Sequence, residues 1–351
     1  MNGKKRPTIY DLAEMTGFSV GTVNRALNGK TRIKEETRRL ILETAEKVGY
    51  KANPAAQGLH RNPMKIGVVM FCPVFAYVND IGNGILSAAH DLEKYNVEVV
   101  LRQLSYTNSH QCVLDTLDIL RTFREEGVSG VVVYHSCASG GEVELLRTEI
   151  DGMIEDGIPV CTIANDIPDC KRIFHVGINA YMAGQMAAEL LSLTSGGRDV
   201  AILTHSRESE VNSKYLKGFF DFAGDDKFSS VHLYEHYDEK ELVLRKTERM
   251  IGENPNLAGI YMTTASSTDA CLHLRQMGKT GFRIITTDLL PETPEILRDG
   301  TASAVIFQNP WRQGRNAIRS LYDYLLTKTT TEDHSISPEI IISSNLNAYL
   351  L

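Results

Sequence analysis

From Lys65 onward, short apolar runs alternate with helical stripes, and that alternation leaves few folds open to the chain. Runs at 66–71, 97–101, 130–134 and 159–164 read as strands, with helices at 82–95, 111–126 and 141–156 between them. A second series follows: strands at 174–178, 200–204, 231–234, 259–262 and 284–287, separated by helices at 180–193, 213–223, 240–252 and 268–277. After 302–308 come a helix at 311–326, a Thr-rich connector at 328–333 and a last strand near 340–343. Strands this continuously apolar are buried on both faces, as in parallel sheets covered by crossover helices. The near-repetition of IGVVM (66–70) and DVAIL (199–203), each followed by a loop and a helix, predicts two similar doubly wound lobes. In such sheets a ligand lies beyond the carboxyl ends of the strands. That rule places 71–83, 134–139, 165–167, 205–212, 263–267, Asp288 and Gln308 around a cleft.

The first 62 residues are different in kind. They hold twelve Lys/Arg against six Asp/Glu, while the rest of the chain has a net charge of −13. A small basic head on an acidic body points to a polyanionic partner. Residues 8–50 read as three helices. Thr8 and Asp11 form a capping box, and Ile9, Leu12 and Ala13 make an apolar stripe that stops at Gly17. Ser19 caps a short second helix, 20–28, and a third runs from about 34 to 48. A short turn with Gly joining two helices, the second short and polar, is the helix-turn-helix pattern. Its outward positions, Val20, Gly21, Asn24, Arg25 and Asn28, are small or hydrogen-bonding, which suits a surface entering the major groove.

Over residues 8–59 the sequence closely resembles the DNA-binding head of the lactose/galactose-repressor (LacI/GalR) family, through TI-DLA, G-S--TV-RAL-N, TR and GY---N--A--L. The resemblance implies a helix-turn-helix domain at 1–50 and a hinge at 51–64. It also implies a two-lobed effector domain of the periplasmic-binding-protein type at 65–351. Lobe 1 is expected at about 65–164 and 309–328, lobe 2 at about 165–308 and 335–351. DNA contacts are expected from Thr8, Ser19, Val20, Gly21, Thr22, Asn24, Arg25 and Asn28. In the hinge they are expected from Asn53, Ala56, Gln57 and Leu59. Asn53 before Pro54 is a good helix start, but two turns rich in Ala and Gly do not hold alone. In the resembling family paired hinges become helical on the operator, and a leucine, here Leu59, wedges between base steps of the minor groove.

The same resemblance assigns polar effector contacts to Asp288 and Gln308 and stacking aromatics to Phe75 and Tyr77 on the first loop. His135, Asn165, Asp166, Asn212 and Tyr215 complete the candidate set. Four departures stand out: Ala52 for a common proline, Asn24 for a serine, Lys34 for a capping serine, and Tyr215 for an arginine. With Gly21 offering no side chain, base reading falls to Val20, Arg25 and the hinge.

No catalytic constellation competes. The chain has no GxSxG elbow, no GxGxxG after a strand and no GxxxxGK[ST] loop. His232 to His236 spells HxxEH, but VHLYEHY reads as a strand, where the two histidines could not share a helical face, so no metal is expected. Six scattered cysteines without CxxC argue against a disulfide framework and for a reducing cytosol. No apolar run nears the roughly 18–20 residues of a membrane span, and the first residues do not read as a secretory signal. The expectation is a cytoplasmic, homodimeric repressor without a cofactor. It would bind a palindromic operator in double-stranded DNA and respond to a sugar or related metabolite. The competing reading is a cytosolic enzyme with a nucleotide-type sheet and a fortuitous basic head.

Overall fold

The computed structural model describes residues 7–27, 33–50, 63–71, 74–104, 108–135, 140–237, 239–329 and 332–350. The chain divides into a head, within Met1–Pro63, and a body that holds nearly everything from Met64 on.

In the head, α1 (Ile9–Thr16), α2 (Val20–Leu27) and α3 (Glu35–Lys47) enclose a core of Leu12, Val23, Ala26, Ile41 and Ala45. The start and stop signals hold. Thr8 N donates to Asp11 Oδ2 at 2.6 Å while Asp11 N donates to Thr8 Oγ1, and Gly17 ends the helix at φ 72°. Thr22 N donates to Ser19 Oγ at 3.2 Å, so Ser19 caps α2. Lys34 starts α3 in extended backbone without a side-chain cap.

The body carries two sheets. In the first, the order is β11-β5-β4-β3-β1-β2, built on β1 (Met64–Phe71), β2 (Val97–Gln103), β3 (Gly130–His135), β4 (Val160–Ile163), β5 (His175–Ile178) and β11 (His334–Ile336). The second has the order β12-β10-β9-β8-β6-β7, from β6 (Asp199–Thr204), β7 (Val231–Glu235), β8 (Leu257–Met262), β9 (Arg283–Thr287), β10 (Ala304–Phe307) and β12 (Glu339–Ile341). The resolved pairings are parallel except β10 with β12. Helices α4 (Phe75–Glu93), α5 (Ser109–Glu125) and α6 (Gly141–Glu155) link the early strands. The later ones are linked by α7 (Ala180–Thr194), α8 (Glu210–Ala223), α9 (Lys240–Glu253), α10 (Ser267–Gln276), α11 (Thr293–Arg298) and α12 (Pro310–Thr327).

Two expected boundaries are corrected. The strand at 174–178 belongs to lobe 1, because His175–Ile178 pairs with Val160–Ile163. The lobes therefore part after β5, not at residue 165. The connector expected at 328–333 leads to β11, a lobe 1 strand, and only then to β12 in lobe 2. The chain thus passes between the sheets after β5, after β10 and between β11 and β12.

Each lobe packs a pair of helices through glycine. A Cβ on Gly218 of α8 would sit 1.9 Å from the carbonyl oxygen of Tyr181 on α7, and one on Gly184 would sit 2.0 Å from that of Tyr215. Only hydrogen fits at such a crossing, so the backbones meet directly. Gly84 of α4 and Gly314 of α12 repeat the device in lobe 1.

Candidate functional site

Two sites emerge, one in each unit. On the head, α2 buries Val23 and Ala26 and exposes Gly21, Asn24 and Arg25, with Val20 and Thr22 half-exposed. The 3.6-residue period that builds the core from one side therefore presents the expected base-reading positions on the other. Thr22 Oγ1 lies 3.0 Å from Ser19 Oγ, which ties these two polar groups at the start of the helix. A Cβ on Gly21 would meet Arg25 Nη2 at 3.8 Å, so the guanidinium lies back over the bare backbone there. Asn28 and the hinge residues Asn53, Ala56, Gln57 and Leu59 fall outside the described residues.

In the body, Asp288 follows β9 and takes the left-handed conformation, φ 67°. Its main-chain N donates to Ile306 O, which seats it beside the end of β10. Gln308 follows β10 and, among the described residues, serves the carboxylate. Its Nε2 donates to Oδ2 at 2.8 Å and its main-chain N–H faces the same group, while Oδ1 keeps no hydrogen-bond partner. Asp288 is only 5% exposed. Burial, more than any neighbour, pushes its carboxyl up from 3.8 to about 7, and the charge of Asp80 adds to the effect.

From Gln308 a polar chain runs into lobe 1. Gln313 on α12 donates through Nε2 to Gln308 O at 2.9 Å and to the Tyr77 hydroxyl at 3.2 Å. Gln313 is fully buried, yet its Oε1 has no partner. Tyr215 on α8 is 2% exposed and its hydroxyl is likewise unpartnered. Burial, with Tyr261, Asp288 and Tyr77 nearby, holds that phenol neutral, its pKa well above the usual value. Orphaned buried polar atoms are costly unless something completes them. Two of them beside a carboxylate that is itself half-satisfied make a site built to receive a polar ligand.

The remaining expectations divide. Phe75 and Tyr77 lie on the first turn of α4 rather than in a loop. Tyr77 offers its hydroxyl, and its ring meets that of Tyr134 edge-on at 6.4 Å. His135 ends β3, packed against the Phe71 ring at 5.1 Å, and burial lowers its pKa to about 4, so it is neutral. Asn165 is half-buried in the bend after β4. Asp166 is claimed by the protein itself: it accepts from Arg172 Nε at 2.7 Å, Arg172 Nη2 at 2.6 Å and Thr162 Oγ1 at 2.7 Å. The same Arg172 reaches Asp333 at 2.7 Å, which pins the connector before β11. Asn212 is also engaged, accepting from Thr263 Oγ1 at 2.9 Å and from Thr204 Oγ1 at 3.2 Å, and it braces the ends of β6 and β8. In this structure both side chains are engaged within the protein as braces. The sequence reading missed Gln313. Gln313 had a signal, a lone amide on the apolar stripe Gly314, Ala317, Ile318, Leu321 of α12. The HxxEH segment lies on strand β7 and the loop after it, as its pattern foretold.

Comparison with known proteins matches two family models: bacterial regulatory proteins, lacI family, over residues 8–53, and a periplasmic binding protein domain over residues 66–329. Catabolite control protein A of Priestia megaterium is 28% identical over 214 residues, 60% of this chain and 59% of its own length. The match thus spans about three fifths of that relative. Catabolite control protein A of Staphylococcus epidermidis is 23% identical over 349 residues, 95% of this chain and 96% of its own. Among solved structures, GanP, a glucose-galactose binding protein from Geobacillus stearothermophilus, superposes with a TM-score of 0.70 at 23% identity. It covers 82% of this chain and 99% of its own, a likeness of fold.

Proposed function

We propose, from a periplasmic binding protein domain over residues 66–329 and a lacI-type head over residues 8–53, that the chain is a transcriptional regulator of the lacI kind, an effector-controlled repressor rather than an enzyme. It binds a palindromic operator as a cytoplasmic homodimer, because one head reads only a half-site. Val20 and Arg25 read base edges, and the hinge at 51–64 enters the minor groove with Leu59 as its wedge. A small polar effector, a sugar or related metabolite, lies between the lobes on Asp288, Gln308, Gln313 and Tyr215. By holding the lobes together it shifts the population away from the DNA-competent state, which requires different affinities in the two states.

The observation that carries this reading is the chain of polar groups from Asp288 through Gln308 and Gln313 to Tyr77, which joins lobe 2 to lobe 1 and leaves buried atoms open to a ligand. The experiment is selection of operator sequences from a random duplex pool by the full chain, then fluorescence anisotropy of the selected duplex during titration with sugars and polyols. Recovery of a palindrome, released by at least one of these compounds, is the expected result. Recovery of no preferred sequence refutes the repressor reading, and a palindrome that none of them releases refutes the effector reading.

A further inference from the structure

The second passage of the chain between the lobes runs through a residue in an unusual conformation. Asn309 directly follows Gln308 and starts α12, which packs on β3, β4 and β5 of lobe 1. A residue that caps a helix normally has extended backbone, and a residue before proline is pushed the same way. Asn309 obeys neither preference: it stands before Pro310 in the left-handed conformation, φ 52° and ψ 63°. The asparagine caps of α5 and α7, Asn108 and Asn179, keep negative φ, −156° and −73°. Backbone held away from its preferences persists only where the surroundings impose it, and such strain gathers at switch regions.

The side chain shows what imposes it here. Asn309 Oδ1 accepts from Arg312 N at 3.1 Å, in the first turn of α12, while its Nδ2 donates to Glu339 Oε1 at 3.0 Å. Glu339 begins β12 of lobe 2, opposite Phe307 of β10, where the third passage ends. Its other oxygen accepts from the Tyr349 hydroxyl at 2.9 Å, which keeps it with lobe 2. One planar amide is thus bonded to both lobes and ties two of the three passages together. We propose that Asn309 is a positioning residue of the effector response. Its amide fixes the angle at which α12 leaves lobe 2, and its bond to Glu339 must yield for the lobes to turn. Gln308 is its neighbour in the chain, so a ligand taken up by that amide pulls on this joint directly. The inference rests on the reading that the lobes move against each other, whatever the effector's chemistry.

The test changes the donor and little else. Asn309→Asp keeps the shape, the tolerance of left-handed backbone and the oxygen that caps α12, but sets a carboxylate against Glu339. Single-molecule energy transfer in the full chain, between dyes on unnatural residues at exposed Leu145 of α6 and Leu193 of α7, reads the separation of the lobes with no compound added. Labelled chains are diluted with unlabelled ones, so that transfer stays within one chain. The wild type should show one dominant separation, and Asn309→Asp should move the ratio of populations on the order of tenfold toward a second. Adding Glu339→Gln supplies an amide donor to the introduced carboxylate and should restore the wild-type distribution. Glu339→Ala removes the acceptor from the other side and should reproduce the shift, and it decides the matter if Asn309→Asp does not fold. Unchanged distributions in the single variants overturn the proposal. So does a shift that the double variant fails to reverse, because the defect would then lie in the cap of α12 and not in the bond between lobes. With no effector in the experiment, a negative result leaves the assignment of Asp288 and Gln308 standing.

Discussion

Replacing Asp288 by Asn should make the ligand-free protein more stable, and the gain should grow with pH. Burial raises the folded carboxyl from 3.8 to about 7. A group with a raised folded pKa binds more protons folded than unfolded, so its ionisation costs stability as pH rises between the two values. The cost starts near the unfolded value and is complete above the folded one. At about 1.4 kcal/mol for each tenfold in proton affinity, the cost is roughly 4 kcal/mol at about pH 8 and roughly 2 kcal/mol at about pH 5. Asparagine has nearly the same shape, tolerates the left-handed backbone and can still accept from Gln308. The variant should therefore gain roughly 2–3 kcal/mol more, relative to wild type, at about pH 8 than at about pH 5. Carboxylates held low by partners, such as Asp166 beside Arg172, change stability in the opposite sense but are present in both proteins and cancel. Urea denaturation of both proteins at the two pH values, followed by far-UV circular dichroism, reads the difference. A pH-independent difference, or a variant less stable at the higher pH, refutes the claim that Asp288 is a buried, unpaired acid.

Three further outcomes follow from the geometry. Arg25→Ala should cost roughly 1–3 kcal/mol in operator binding and relax preference at one base pair, measured by anisotropy on single-base operator variants; a loss uniform over all variants makes Arg25 a phosphate contact instead. Lys34→Ser should stabilise the head by about 1 kcal/mol, since a hydroxyl there can accept from the first-turn N–H groups of α3; hydrogen exchange of the α3 amides measures it, and unaltered protection means the N–H groups are already satisfied. Gly218→Ala should destabilise the body by roughly 1–3 kcal/mol or more, because its methyl would meet the Tyr181 carbonyl; an unchanged urea midpoint would show that α7 and α8 separate freely.

The alternation of apolar runs was readable because strands buried on both faces carry their burial in their composition. Which sheet a strand joins is not written that way. His175–Ile178 has only four residues, and its place beside β4 is set at a distance, by Asp333 accepting from His175 N and Arg172. His334–Ile336 is shorter still and half polar, so no periodicity betrayed it. The head was legible to its caps, since capping is a local exchange of hydrogen bonds. In the cleft, Asp288 and Gln308 were legible from their place at strand ends. The internal partners of Asp166 and Asn212 were not, because a polar side chain does not announce which neighbour will claim it. Thr162 and Arg172 claim the first, Thr204 and Thr263 the second.

The threefold passage of the chain between the sheets also governs how the body can be made. Neither lobe is a continuous stretch, and both take their final strand from residues 334–341. A ribosome releasing this chain in order would leave β5 and β10 with bare edges until those last strands emerge, and bare edges invite pairing with other chains. A premature stop shortly before His334 would therefore do more than disable the cleft. It would yield a chain with two unfinished sheets, destined for aggregation or proteolysis, so that early termination this near the end behaves genetically as complete loss.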